Sequence, residues 1–95
     1  MTTNKLHPVF SPADLATLVR AVRISLGMTQ SEAAAFCGVS APFLCGLEAG
    51  KSTAQLGLVM KVCNDLGIRL VAELPDPGLD ITQAPRRKPR SGAKS

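Results

Sequence analysis

Residues 23–51 read RISLGMTQSEAAAFCGVSAPFLCGLEAGK, and the spacing of a few positions in this stretch decides the fold. Thr29 followed by Glu32 three residues on is a capping box, which opens a helix by satisfying N–H groups that the helix leaves free. Ala34 is small, where a second helix must cross closely. Gly38 closes the first helix by taking the left-handed conformation. Val39 plugs the turn and Ser40 caps the next helix. Leu44 and Leu47 then point inward at helical spacing. Two short helices joined by a tight glycine turn make a helix-turn-helix, whose second helix turns its free face outward with the dimensions of a DNA major groove.

Upstream of this unit, Ser11 followed by Pro12 joins a cap to a first-turn proline, a good helix start. Leu15, Leu18, Val19, Val22 and Leu26 then mark one helical face, and Gly27 closes the helix. Residues 1–10 lack periodicity and read as an arm lying over the surface or fraying. Helix 2 is predicted over Gln30 to Cys37 and helix 3 over Ala41 to Ala49, with Gly50 as its stop. Ser52 or Thr53 should cap a fourth helix that carries Leu56, Val59, Met60, Cys63 and Leu66 inward and ends at Gly67. The expectation is a mainly α, four-helix domain over residues 11–74.

Past Gly67 the period changes from helical to alternating. Ile68, Leu70, Ala72 and Leu74 alternate with Arg69, Val71 and Glu73, which is a strand pattern. The described pattern offers no second strand within the chain, so the expected partner is a copy of itself across a homodimer. Antiparallel pairing about Val71 would set Arg69 opposite Glu73 of the other copy, twice, as an isologous contact requires. A short extended arm packed on its own domain is the alternative. Residues 75–95 hold four of the seven prolines and the run Arg86-Arg87-Lys88-Pro89-Arg90, the composition of a disordered basic tail. Such a tail is either an inert solvated end or a nonspecific clamp on phosphates.

The chain has 95 residues and a formal net charge of +4. Residues 1–74 carry six basic and five acidic side chains, and residues 75–95 carry five and two. The folded part is therefore close to neutral, so a DNA-binding role calls for a dimer or the tail. A core this small is marginal alone, which also favours oligomerisation. Aromatics are scarce, and no apolar run approaches the roughly 18 residues of a membrane span. The N-terminus lacks a signal pattern, and the expected location is the cytosol or nucleoid of a bacterium.

Cys37, Cys45 and Cys63 match no metal-ligand or redox spacing and read as reduced thiols, Cys45 nearest the outward face of helix 3. No cofactor or metal is implied. The only histidine, His7, lies in the unpatterned arm. Asp14, Glu32, Asp65 and Glu73 have no evident catalytic partners, so the sequence argues against an enzyme.

From Phe10 to Leu74 the chain resembles the lambda-repressor-like helix-turn-helix family often called Xre, and within it the HipB-type antitoxins. The residues that carry the likeness are Phe10-Ser11-Pro12, Arg23, Gly27, Met28-Thr29-Gln30-Ser31-Glu32, Gly38-Val39-Ser40, Leu47-Glu48 and Gly50-Lys51. The resemblance implies an internal ion pair between Arg23 and Glu48 that ties helix 1 to helix 3. It places Thr29, Gln30 and Lys51 at backbone-contacting positions, where a helix N-terminus and a lysine meet phosphates. It places Ala41, Pro42 and Gly46 at base-reading positions, flanked by Ser40, Phe43 and Cys45.

At those positions the chain departs from the family pattern. Ala41, Pro42 and Gly46 have no side-chain hydrogen-bonding group, so nothing grips guanine or adenine edges as Arg, Asn or Gln would. Two readings follow. One is recognition by thymine-methyl contacts and DNA shape; the other is a protein-assembly module with weak DNA binding. The resemblance implies an autoregulating repressor on a palindromic double-stranded operator, serving as the antitoxin to a HipA-like kinase toxin. A stand-alone Xre-type regulator is the further alternative.

Overall fold

A computed structural model describes residues 6–76 and 78–83 of the chain. Four α-helices follow one another: α1 Pro12–Ser25, α2 Gln30–Cys37, α3 Ala41–Glu48 and α4 Leu56–Asp65, with one 3-10 turn at Ile81–Gln83. The mainly α, four-helix arrangement expected from the sequence is the one observed.

Three of the four helices open with the capping that their sequence dictates. At α1, Ser11 Oγ accepts from the Asp14 N–H at 3.2 Å, while the Asp14 carboxylate accepts from the Phe10 N–H at 2.9 Å. At α2, Thr29 Oγ1 accepts from the Glu32 N–H at 3.1 Å and Glu32 accepts in return from the Thr29 N–H at 2.9 Å. At α3, Ser40 Oγ accepts from the Phe43 N–H at 3.1 Å. Each exchange satisfies donors that the first helical turn would leave open.

The α2–α3 turn depends on Gly38, whose φ of +71° lies in the left-handed region. From there the Gly38 N–H reaches the Ala35 carbonyl at 3.2 Å and the Val39 N–H reaches the Ala34 carbonyl at 3.0 Å. These two bonds close the Schellman arrangement that ends a helix and reverses the chain. Gly50 serves a different need. Its φ is +85°, and a Cβ there would lie 3.5 Å from the Ala13 backbone, so the end of α3 sits close against the first turn of α1.

The core lies where the helices converge, with α3 packed on α1 and α2, and α4 on α2. Val19, Cys37, Leu44, Val62 and Cys63 are fully enclosed, and Ala33, Ala34, Leu47, Val59 and Leu66 complete the cluster. Burial pushes the Cys37 and Cys63 thiols above their ordinary range, which keeps them protonated and unreactive. Lys61 on α4 donates to the Cys37 carbonyl at the end of α2 and pairs with Asp65 at 3.0 Å. It thereby supplies positive charge where the α2 dipole is negative.

Several sequence expectations need correction. Leu26, Leu56 and Met60 face solvent instead of the core. Leu26 is already the cap residue after α1, and Leu56 is the first residue of α4, so neither has the neighbours that helical phasing assumes. In α4 the inward face is Val59, Val62, Cys63 and Leu66. Neither Ser52 nor Thr53 caps this helix; Gln55 is the N-cap and makes no side-chain capping bond. Phe43 is half-buried against the core and not fully outward.

Residues 68–74 form neither helix nor strand within the single chain, and only Ile68 packs on the core. A strand that pairs only with a second copy has no ladder partner in one chain. Residues 6–10 are exposed and carry no regular structure. Beyond Leu74, Asp76 and Asp80 accept from the Gly78 and Thr82 N–H groups and set local turns. The expected basic run Arg86–Arg90, and the disorder read for it, lie outside the described residues, as do residues 1–5.

The tie between α1 and α3 is an ion pair with full hydrogen bonding. Arg23 Nε donates to Glu48 Oε2 at 2.7 Å and Nη2 donates to Oε1 at 2.9 Å. The remaining guanidinium nitrogen, Nη1, donates to the Met28 carbonyl at 2.8 Å, and Gln30 Nε2 adds a bond to Glu48 Oε1 at 3.0 Å. The two charged side chains are 11% and 3% exposed, so water contributes little to their solvation. Burial alone would push the Glu48 carboxyl up. Hydrogen bonds from Arg23 and Gln30, with attraction from Arg23 and Arg20, outweigh it and hold the group below the usual carboxylate range.

Two predictions follow from this pair. Arg23→Met leaves a buried carboxylate without its partner and should destabilise the domain by about 3–5 kcal/mol. Adding Glu48→Leu should recover most of that loss in urea titrations; a double variant as unstable as the single one would show that the pair is not coupled. The second prediction concerns acid. The folded-state pKa of Glu48 is depressed, so its stabilisation is complete above the unfolded value of about 4.3 and is lost as pH falls through the folded value. Stability should therefore decline less steeply in the double variant than in the parent below about pH 4.3, measured by denaturation at stepped pH.

Candidate nucleic-acid interface

The two residues flanking α3 are fixed by contacts to α3 itself. Gln30, the first residue of α2, meets α3 through its bond to Glu48. Lys51 follows the Gly50 turn and folds back onto α3, where its N–H donates to the Gly46 carbonyl at 3.0 Å. The stem of Lys51 lies over Gly46, with Cδ 3.4 Å from the position a Cβ would take. A helix flanked by a helix N-terminus on one side and a lysine on the other is thus assembled from residues 30, 40–48 and 51.

At the start of α2 the N–H groups of Gln30 and Ser31 have no intrahelical acceptor, because the first turn of any helix lacks them. Such a terminus attracts anions. Thr29 Oγ1 accepts from the Glu32 N–H, and the hydroxyl keeps its own hydrogen to donate to an anion. Glu32 brings a carboxylate to the same terminus, which stabilises the helix in isolation and opposes an incoming phosphate. The Gln30 side chain is half-buried and turned toward Glu48. Its second amide hydrogen and its carbonyl oxygen remain available.

On α3 the residues exposed to solvent are Ala41, Pro42 and Cys45, with Ser40 at the cap and Ala49 beyond the end. Their spacing places them on one outward face. Ser40 accepts from Phe43 N–H and keeps its own hydroxyl hydrogen to donate. Phe43 gives part of its ring to the core, and Gly46 is half-buried. The outward face is therefore small and mostly apolar. It can touch thymine methyls and admit close backbone approach, and it offers a single hydroxyl for hydrogen bonding.

Sequence reasoning did not anticipate three of these contacts. The Gln30–Glu48 bond joins residues 18 apart, with no local pattern to betray it. The attraction of Arg20 for Glu48 likewise arises only when α1 lies along α3. The packing of Lys51 on Gly46 had a readable sign, because a glycine stop between α3 and a lysine folds the lysine back over the last turn. The described residues hold no group of His, Cys, Asp and Glu able to bind a metal ion. No helix among them is long and apolar enough to cross a membrane.

Comparison with known proteins agrees with this geometry. The chain is 47% identical over 57 residues to the uncharacterized HTH-type transcriptional regulator y4mF of Sinorhizobium fredii (strain NBRC 101917 / NGR234), covering 60% of this chain and 75% of that protein. A chain of the HipB–O1–O2 complex superimposes with a TM-score of 0.61 at 28% identity, covering 75% of this chain and all of that one. A chain of the HipA–HipB–O2–O3 complex gives 0.67 at 24% identity with the same coverage, which shows a shared fold. The helix-turn-helix family model matches residues 19–72, more than half the chain, from the middle of α1 to the segment after α4. The chain belongs to the helix-turn-helix family.

Proposed function

We propose that this protein is a homodimeric transcriptional repressor that sets α3 into successive major grooves of a two-fold symmetric DNA site. The observation that carries the reading is the flanking of α3 by Gln30 and Lys51, each held to that helix by its own contact. Phosphate contacts at those two points would fix register and orientation on the duplex without reading sequence. Sequence preference would then come from methyl contacts by Ala41 and Pro42, the Ser40 hydroxyl, and DNA shape. Repression needs only occlusion, so no catalytic group is required.

The likeness to HipB chains supports a role as an antitoxin partner of a HipA-like kinase toxin, bound to its own promoter. Residues 68–74 are the proposed dimer strand, antiparallel about Val71, with Arg69 against Glu73 of the partner copy. Residues 69–74 are exposed in the single chain, which leaves them available for it, while Ile68 packs on the core. A second reading, a protein-assembly module, is favoured by the apolar outward face of α3 and by Phe36 on α2, which is 62% exposed.

Fluorescence anisotropy across a salt series tests the first reading, with the gene's upstream DNA against a scrambled duplex. The repressor reading expects upstream binding tighter by about a thousandfold, the low end of specific recognition. Equal, weak and steeply salt-dependent binding to both duplexes would instead favour the assembly module. Dimerisation has its own test in sedimentation equilibrium. Arg69→Glu should shift the protein toward monomer by placing like charges opposite one another, and Arg69→Glu with Glu73→Arg should restore the dimer. A dimer indifferent to both changes would place the interface elsewhere.

A further inference from the structure

We infer that Gly46 is the seat of Lys51 and not a base-reading position, an inference that rests on the DNA-binding reading above. Glycine in a helix interior is unfavourable, so its presence in the middle of α3 calls for a cause. The backbone supplies none, because Gly46 is not among the glycines with positive φ. The neighbouring space is shared with the Lys51 stem, which would touch a Cβ without excluding it. A Cβ at Gly46 would lie 3.4 Å from Lys51 Cδ and 3.9 Å from Lys51 Cβ, whereas one at Gly57, the glycine within α4, would meet nothing within 4 Å.

Lys51 is held at both ends of this contact. Its backbone N–H donates to the Gly46 carbonyl, which also accepts from the Ala49 N–H at 3.1 Å. Its aliphatic stem lies along the helix, a lysine using its methylenes to cover apolar surface while the ammonium stays in water. A lysine already confined in this way loses less freedom when it meets a phosphate.

Position 46 therefore presents a choice. Alanine fits in ordinary contact with the Lys51 stem. A side chain long enough to read a base edge, such as glutamine, would compete with the Lys51 stem for the space beside the helix. This chain has the fixed lysine, and the lack of a polar reader at residue 46 is its consequence. Gly46 acts through Lys51 as a positioning residue.

The test uses the full chain with Gly46→Ala, Gly46→Gln, Lys51→Gln and the Gly46→Gln/Lys51→Gln pair. The readouts are the salt dependence of binding to scrambled and upstream duplexes, the melting temperature, and 13C relaxation of the Lys51 side chain in the free protein. Lys51→Gln should lower the slope of log K against log salt by about 0.9, the loss of one phosphate contact. Gly46→Gln should lower it similarly and free the Lys51 methylenes, and the pair should lose nothing further. Gly46→Ala should keep the slope and raise the melting temperature. If Gly46→Gln keeps the parent slope and changes only the ratio between duplexes, Gly46 is a groove position and the inference falls. A Lys51 side chain equally mobile in the parent and in Gly46→Gln also overturns it. Failure of the repressor reading shows separately, as no preference for upstream DNA, and the relaxation measurement decides the seat even without any DNA binding.

Discussion

The Arg23–Glu48–Gln30 network is the constraint on which the arrangement of this domain depends. Glu48 is the last residue of α3, Arg23 lies near the end of α1, and Gln30 is the first residue of α2. Four hydrogen bonds join these three side chains and the Met28 carbonyl. A buried carboxylate is tolerable only with such complete pairing. The geometry that satisfies it leaves α3 little freedom to slide against either neighbour. The two helices that carry the proposed interface are therefore set in angle by a polar cluster behind it, and not by contacts on the exposed side.

The apolar core could not fix that angle so narrowly. Many of its members are small: Ala33, Ala34, Cys37 and Cys63 beside Val19, Val59 and Val62, with leucine only at Leu44, Leu47 and Leu66. Small side chains allow the helices to approach closely, but they interlock less than large ones. The geometry is sharpened by directional contacts instead. The Schellman turn at Gly38 fixes where α3 begins, and Lys61 holds the end of α2 against α4. These bonds have preferred distances and angles, which dispersion contacts lack.

Much of this was readable because the deciding signals are local. A helix cap reaches only three residues along the chain, so Thr29 with Glu32 and Ser40 with Phe43 declare themselves in sequence. Leu44 and Leu47 lie inside helices whose ends are certain, and their burial follows. Apart from Met60, which lies mid-way along α4 on its outward side, the misread core positions fall where a helix begins or ends. Leu26, just past α1, and Leu56, the first residue of α4, obey the right period at the edge of the region in which a period means burial. The start of α4 was misplaced because Gln55 offers no side-chain cap, so the polar pair Ser52 and Thr53 drew the boundary toward the preceding turn. On α3, the exposure of Ala41, Pro42 and Cys45 was legible, whereas the engagement of Gln30 with Glu48 required the tertiary structure. A phosphate-contacting residue and a structural one cannot be told apart when a single side chain has the chemistry for both.

That double engagement bears on how an apolar recognition helix could still serve DNA. Base-reading side chains give discrimination when they project freely into the groove; α3 projects only Ala41, Pro42 and Cys45, with one hydroxyl at Ser40. Its discrimination per base must then be modest, since a methyl contact cannot replace a bidentate hydrogen bond. A modest reader gains most from exact placement, because shape and methyl contacts fall away steeply with displacement. Gln30 through Glu48, and Lys51 through Gly46, are both anchored to the helix they flank. Anchoring would remove motion between the proposed phosphate contacts and the outward residues of α3, so that the little sequence information on α3 would be presented in one register. Two such units on a symmetric site would combine their separate preferences, and a weak half-site reader would become a selective dimer.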